Sequence, residues 1–411
     1  MAPVPLFPSA MRAPPVRKFP RLLLAGGVAV VFVGAQFVAA QKSDSRAVGP
    51  VETVSYVGNA TCISCHRDKG SSFDETAHAN TSCLATPATV KGRFDAGSND
   101  FRTANPDLYF QLRAAATGCT QTAVLRTSAT EVLTRTERMD IVIGSGRKGQ
   151  TYLYWDGDGL FELPVSYWTE AQAWVNSPGY IDGRANFERP IPRRCLECHA
   201  TSFVSRGPPE NAYARDSLRL GISCEKCHGP GAEHVARFRS ASPPKSPVEF
   251  AILNPKKLPR DRQIDSCALC HAGAGDPLTP PLSFQPGDEL ARHLTFPRVE
   301  ANAPLDVHAS QVQLLERSQC FRSTPAMSCS SCHDVHRPQR DLASFAAQCI
   351  RCHQPEKCGE FSKEGHRIDQ RCVTCHMPLE KTEQIIIASA PGRSLQPEVR
   401  NHRIAIYPSR K

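Results

Sequence analysis

The sequence predicts a mainly irregular and α-helical fold with one small β-rich insert at about 90–190. Three observations carry this. One pentapeptide pattern, Cys-x-x-Cys-His, recurs seven times: Cys62–His66, Cys195–His199, Cys224–His228, Cys267–His271, Cys329–His333, Cys349–His353 and Cys372–His376. Six copies crowd into 195–376, about 30 residues each, too few to build an ordinary hydrophobic core around every copy. The composition, 34 Pro and 26 Gly in 411 residues, suits turn-rich wrapping rather than long helices, while the 128 residues between His66 and Cys195 carry no copy at all.

The pattern is the attachment site of c-type haem. Two thiols separated by two residues reach the two vinyl groups on one porphyrin edge, and the adjacent imidazole becomes the proximal ligand of the iron. The attaching thiols are Cys62, Cys65, Cys195, Cys198, Cys224, Cys227, Cys267, Cys270, Cys329, Cys332, Cys349, Cys352, Cys372 and Cys375. The proximal ligands are His66, His199, His228, His271, His333, His353 and His376. A zinc ribbon or a thioredoxin-like dithiol needs no His immediately after the second Cys. With 14 His in 411 residues, seven such successions by chance have a probability of roughly 10⁻¹⁰. Zinc ribbons also pair their Cys-x-x-Cys units, and seven is odd. The expected interior is therefore seven covalent, stacked haems with polypeptide wrapped around them.

From the N-terminus, residues 1–40 read as a leader. Arg12, Arg17, Lys18 and Arg21 form a basic region, Leu22 to Ala40 is apolar apart from Gln36, and Val38-Ala39-Ala40 offers a small-residue cleavage site. The apolar run also suffices to span a bilayer, so a cleaved signal peptide and a retained tether through 22–40 both stand. Either places the chain in the periplasm or another exported location. The formal charge of +9 is no nucleic-acid signal: without the leader it falls to about +5. Two propionates per haem then take it to about −2 oxidised and about −9 reduced. Much of the Lys and Arg is expected to face propionates.

Residues 41–90 form a first haem-binding segment, 91–190 the β-rich insert and 191–411 a six-haem domain with few strands. In the insert, Arg138–Ile143 and Thr151–Trp155 read as strands, Asp156-Gly-Asp-Gly159 as a hairpin turn and Leu160–Val165 as the return strand. Its role reads as a lid over the first haem or a partner surface. Gly144-Ser-Gly-Arg-Lys-Gly149 matches a dinucleotide fingerprint, but it leads into the β-branched and aromatic run Thr151–Trp155 instead of opening a helix. It is expected to be a turn, with no nucleotide cofactor.

Seven His lie outside the motifs: His78, His234, His293, His308, His336, His366 and His402. The count would make every haem bis-histidine. His336 lies three residues after His333, roughly 10 Å fully extended, and cannot reach around to the far face of the same haem. As a ligand it must serve a neighbouring haem, and His234, six after His228, follows the same reasoning. Cys83, Cys119, Cys320 and Cys358 also lie outside the motifs, and export favours disulfides. Local proximity favours Cys83–Cys119 and Cys320–Cys358.

Several stretches together resemble multihaem cytochromes of the tetrahaem cytochrome c-554 type and its longer bacterial relatives. They are Tyr56-Val-Gly58 with His78, Cys224–His228 running into Gly229-Pro-Gly231 and His234, Asp306-Val-His308, Asp334-Val-His336 and His376-Met-Pro378. Val142-Ile-Gly-Ser-Gly146 through Leu163-Pro164 looks like the β-rich insert of the longer relatives. The resemblance covers most of 54–408 and implies His78, His234, His308, His336 and His366 as distal ligands, with His402 after them and His293 unmatched. The c-554 type has four haems, so at least three here are additional. The cytochrome nitrite reductases of the wider group use Cys-x-x-Cys-Lys at the active haem, which this chain lacks.

The function this predicts is electron transfer along mostly bis-His haems between redox partner proteins, from a membrane-side donor to a periplasmic or extracellular acceptor. A non-catalytic carrier needs no nucleophile or proton-transfer constellation, and none stands out. The competing reading is an oxidoreductase in which one open-site haem acts on a small nitrogen or oxygen species, and His293 is its discriminator.

Overall fold

The computed structural model describes residues 55–407 apart from 247–249, 274, 299, 301–302 and 391. The leader and its possible tether at 22–40 lie outside the described residues. About 27% of the chain is helical and 24% strand, so the expectation of a mainly irregular and α-helical fold is corrected. The excess strand has two sources: an insert whose regular structure among the described residues is strand alone, and short strands where few were expected.

The first haem-binding segment contributes β1 (Ser82–Leu84), and the insert holds β2 (Asp100–Arg102), β3 (Leu108–Ala115), β4 (Gly118–Arg126), β5 (Val132–Met139), β6 (Ile141–Ile143), β7 (Gly149–Asp156), β8 (Gly159–Glu162), β9 (Val165–Trp168), β10 (Ala173–Asn176) and β11 (Arg189–Pro190). One antiparallel sheet runs β2-β3-β4-β5; the other runs β1-β6-β7-β8-β11, with β9 also on β7 and β10 on β9. Strict alternation along β4 buries Cys119, Gln121, Ala123 and Leu125, and β3 buries Leu108, Phe110 and Leu112 in the same way. Gln121 is fully buried. It ties the two sheets, donating from Nε2 to the Val165 carbonyl (2.6 Å) and accepting the Val165 N–H (3.1 Å). Both halves of its amide are thus satisfied.

Two of the strands expected from the sequence are each broken in two. Arg138–Ile143 splits at Asp140, where the chain leaves the β2–β5 sheet for the other one. Leu160–Val165 splits at Leu163-Pro164, since Pro164 has no N–H to extend the ladder. The expected hairpin turn at 156–159 is present, with Gly157 at φ +54°. Gly144–Gly149 forms the connection between β6 and β7; strand, not helix, follows it.

After residue 191 the helices are short, from four residues at Phe361–Glu364 to twelve at Arg260–His271. Between them lie two-stranded pairs: Ala200–Ser202 with Arg219–Leu220, Asp276–Pro277 with Leu294–Thr295, Leu379–Lys381 with Glu398–Arg400, and Ile387–Ala390 with Arg393–Leu395. A wrapping chain must still pair its backbone polar groups, and doubling back on itself is the shortest way to do so.

The insert is also the platform of the second motif. Ile141, Leu153 and Leu160 pack with Ile191, Leu196, Ala200, Phe203 and Tyr213 in one cluster, and Leu196 lies between Cys195 and Cys198. Beside it, Glu162 is buried at 3.2 Å from Arg189; burial outweighs that cation and pushes the carboxyl up to about 7.

Candidate haem-binding site

Each motif occupies one turn. The N–H of His66 bonds to the Cys62 carbonyl (2.9 Å), that of His333 to Cys329 (3.0 Å) and that of His353 to Cys349 (2.9 Å). Such a turn places residues i, i+3 and i+4 on one face, which is how both thiols and the imidazole address the same group.

The imidazoles come together across motifs. His66 faces His234 (6.3 Å between ring centres, 21° between planes), His228 faces His336 (6.1 Å, 31°), His271 faces His78 (6.1 Å, 78°) and His333 faces His402 (6.2 Å, 23°). Metal–imidazole bonds of about 2.0–2.1 Å on opposite sides of one ion set ring centres at about 6.3 Å. His199 lies within electrostatic reach of His308. His336 therefore faces the His of the third motif rather than His333, three residues before it, and His234 faces the first.

The other ring nitrogen is held as a ligand requires. Nδ1 of His228 donates to the Leu253 carbonyl (2.8 Å), His234 to Phe250 (2.6 Å), His376 to Ala405 (2.8 Å) and His402 to Arg400 (3.2 Å). His199 Nδ1 lies 3.0 Å from Thr81 Oγ1. A proton on Nδ1 leaves the Nε2 lone pair for a metal. Burial pushes the imidazole pKa of His78, His199, His228, His308, His333 and His402 down, and that of His271 to about 4, favouring the neutral form that ligates.

These rings line one cavity of about 4920 Å³, several times the ~300–1,000 Å³ of a small-molecule pocket. All seven motifs contribute to its wall, as do His78, His234, His308, His336 and His402. His366 does not; it is exposed, with Nδ1 3.2 Å from Asp369 and its ring on Phe361. His293 is engaged at both nitrogens, Nδ1 with Thr279 and Ser283 (3.0 and 3.2 Å) and Nε2 with Asp288 (3.4 Å). His353 and His376 face no other imidazole ring in stacking range among the described residues.

Neighbouring motifs touch. Asn59–Ile63 packs on Cys224–His228, Arg193–His199 on Arg260–His271, and the latter on Cys329–Ser331, which brings the thiols of Cys62 and Cys224, Cys198 and Cys270, and Cys267 and Cys329 within electrostatic reach. Side chains reinforce each junction: Cys224 N–H to Asn59 Oδ1 (3.0 Å), Arg194 Nη2 to the Leu269 carbonyl (2.6 Å) and Ser328 Oγ to Gln263 Oε1 (2.9 Å). His333 packs on Phe345 of the sixth motif's helix (5.2 Å). Cys349 and Cys372, of the sixth and seventh motifs, interact electrostatically.

Sequence reasoning missed Glu225, the residue after Cys224. Buried, it accepts the N–H groups of Val57 (2.9 Å), Gly58 (2.8 Å) and Gly231 (2.9 Å), tying the first motif to the third. An acid at a variable motif position was the signal available. The favoured disulfides are corrected: Cys83, Cys119, Cys320 and Cys358 are free thiols. Cys83 sits on β1 opposite Val142 and Cys119 on β4 opposite Met139, in different sheets. Cys320 and Cys358 instead line the cavity, each in electrostatic contact with a motif cysteine, Cys332 and Cys372 respectively.

Opposed imidazoles from separate motifs around one shared interior are the arrangement that several bound haems would need. Residues 171–229, which hold the second and third motifs, match the family model described as cytochrome c554 and c-prime. The fold resembles the crystal structure of outer cell wall cytochrome OcwA, with TM-score 0.54 and 17% identity over 85% of this chain and 79% of that one. An undecahaem cytochrome from the S-layer of Carboxydothermus ferrireducens matches at 18% identity and TM-score 0.37, over 79% of this chain and 51% of that one. No curated protein matches this chain. Among the described residues no helix is long and apolar enough to cross a membrane.

Proposed function

We propose that this chain is an exported heptahaem c-type cytochrome that passes electrons between redox partner proteins, with the donor on the membrane side and the acceptor in the periplasm or outside the cell. The observation that carries it is the set of four opposed imidazole pairs at 6.1–6.3 Å, each joining residues from separate parts of the sequence. Haem c, when bound, supplies one-electron transfer at iron. The chain's residues do the rest. Fourteen thiols attach the groups, and His66/His234, His228/His336, His271/His78 and His333/His402 clamp four of them, with His199 and His308 a fifth. Lys91, Arg147, Arg239, Lys257 and Arg340 line the cavity with no carboxylate partner among the described residues, as groups meant for propionates would. The touching motifs support two runs, first–third and second–fourth–fifth–sixth–seventh, and Cys227 of the third lies within electrostatic reach of Cys267 of the fourth, which joins them into one trunk.

Intact mass and the pyridine haemochrome ratio test the load: seven covalent haems are expected, and a chain carrying zinc and no haem ends the reading. One observation favours a second reading. His353 and His376 face no imidazole, while His293 and His366 are held elsewhere, so the sixth and seventh motifs are the places where an open iron would act on a small nitrogen or oxygen species. Low-temperature EPR separates the two. Only low-spin signals support the pure carrier; high-spin signals with turnover of nitrite, hydroxylamine or peroxide support the oxidoreductase.

A further inference from the structure

The segment Phe250–Leu253 contains no motif and no ligand, yet it reaches two centres at once. The Phe250 carbonyl accepts from His234 Nδ1 at 2.6 Å, and the Leu253 carbonyl from His228 Nδ1 at 2.8 Å. His234 faces His66 of the first motif, while His228 belongs to the third and faces His336. The Leu253 N–H also bonds to the His228 carbonyl (3.1 Å), closing a two-way tie. At the other end Phe250 packs on Phe238 (5.3 Å), which packs on the His234 ring (4.7 Å). His199 differs: its Nδ1 partner is Thr81, which serves no other ring.

An N–H to carbonyl bond on the outer nitrogen fixes ring orientation and raises the basicity of the ligating one, which lowers an iron's reduction potential. We propose that Phe250–Leu253 is a positioning element shared by the first and third haem centres, so that their ligand orientation and potential are set jointly. The two centres are already neighbours, joined by the packing of Asn59–Ile63 on Cys224–His228 and by Glu225. This places the shared control at one end of the proposed trunk. The inference rests on haem occupying the motifs.

The test is deletion of Ile252, which shortens the segment so that both carbonyls cannot keep their partners. The haem count is measured first: seven by pyridine haemochrome leaves the haem reading standing whatever follows, and none overturns that reading itself. With haem bound, two low-spin EPR signals should change together and two midpoint potentials should rise, with the others unmoved. Phe250→Ala is the second variant, should the deletion fail to accumulate. It keeps both carbonyls but loosens the segment, and should move the same two signals by less. A change at one centre alone, at neither, or at all centres alike overturns the sharing.

Discussion

The insert and the six-motif wrapping solve the problem of an interior in opposite ways. In the insert, side chains fill the space between two sheets: Phe110, Leu112, Met139, Tyr152 and Leu160 are fully buried. In the wrapping, two whole helices, Ala232–Phe238 and Phe361–Glu364, lack a single fully buried residue. Their inner faces border the large cavity instead. The wrapping has a side-chain core of its own around Arg260–His271, where Ile264, Leu269, Phe284, Leu290, Leu294 and Phe321 cluster; away from it, the large cavity takes the place of a core.

The largest effect that separates them is haem removal. In full-length chain produced without haem attachment, hydrogen exchange should stay slow across β3, β4 and β7. It should become fast across 224–238 and 329–376, which lie outside the Ile264–Phe321 cluster and border the cavity. Equal protection in both regions would break the comparison. Next comes Phe110→Ala, which empties a fully buried site between Phe101 and Phe187 (ring centres 6.3 and 6.5 Å away). It should cost about 3–5 kcal/mol of insert stability in denaturant melts and leave the haem count unchanged.

A smaller effect is pH-dependent. Glu162 has its carboxyl raised to about 7 by burial, so the folded insert favours the protonated form. That contribution is complete below the ordinary carboxylate range near 4.5 and is lost as pH rises through about 7, at most roughly 3 kcal/mol. Glu162→Gln should flatten the stability profile between those limits; an unchanged slope would show that Arg189 compensates the carboxylate fully. The smallest effect on stability is expected from His336→Ala in the wrapping. It should turn the centre of Cys224 and Cys227 high-spin in EPR, leave that of Cys329 and Cys332 low-spin, and hardly move the melt of the insert.

What the sequence made legible follows the range of the signal. The proposed haem attachment is written in five adjacent residues, so each motif stands out in the sequence, and the hairpin at 156–159 is equally local. The reach limit on His336 excluded its own motif, yet which ring it meets depends on how distant segments pack, and no spacing encodes that. The Nδ1 acceptors escaped because they are backbone carbonyls, present at every residue. Strands of two to four residues after 191 have no periodicity to read. Pro164, by contrast, was a readable break that the alternation of its neighbours concealed.

The segment Arg400–Ala405 follows all seven motifs in sequence, yet it returns to two of them: His402 faces His333, and the Ala405 carbonyl holds His376. On the proposed ligation, this gives maturation a direction. In a chain exported N-terminus first, haem can be attached at the fifth motif long before the second axial ligand of that iron has emerged. Completion of the interior is then timed by a stretch of polypeptide that arrives after every motif. A chain cut short before His402 would carry its full complement of thioether bonds and still be unfinished.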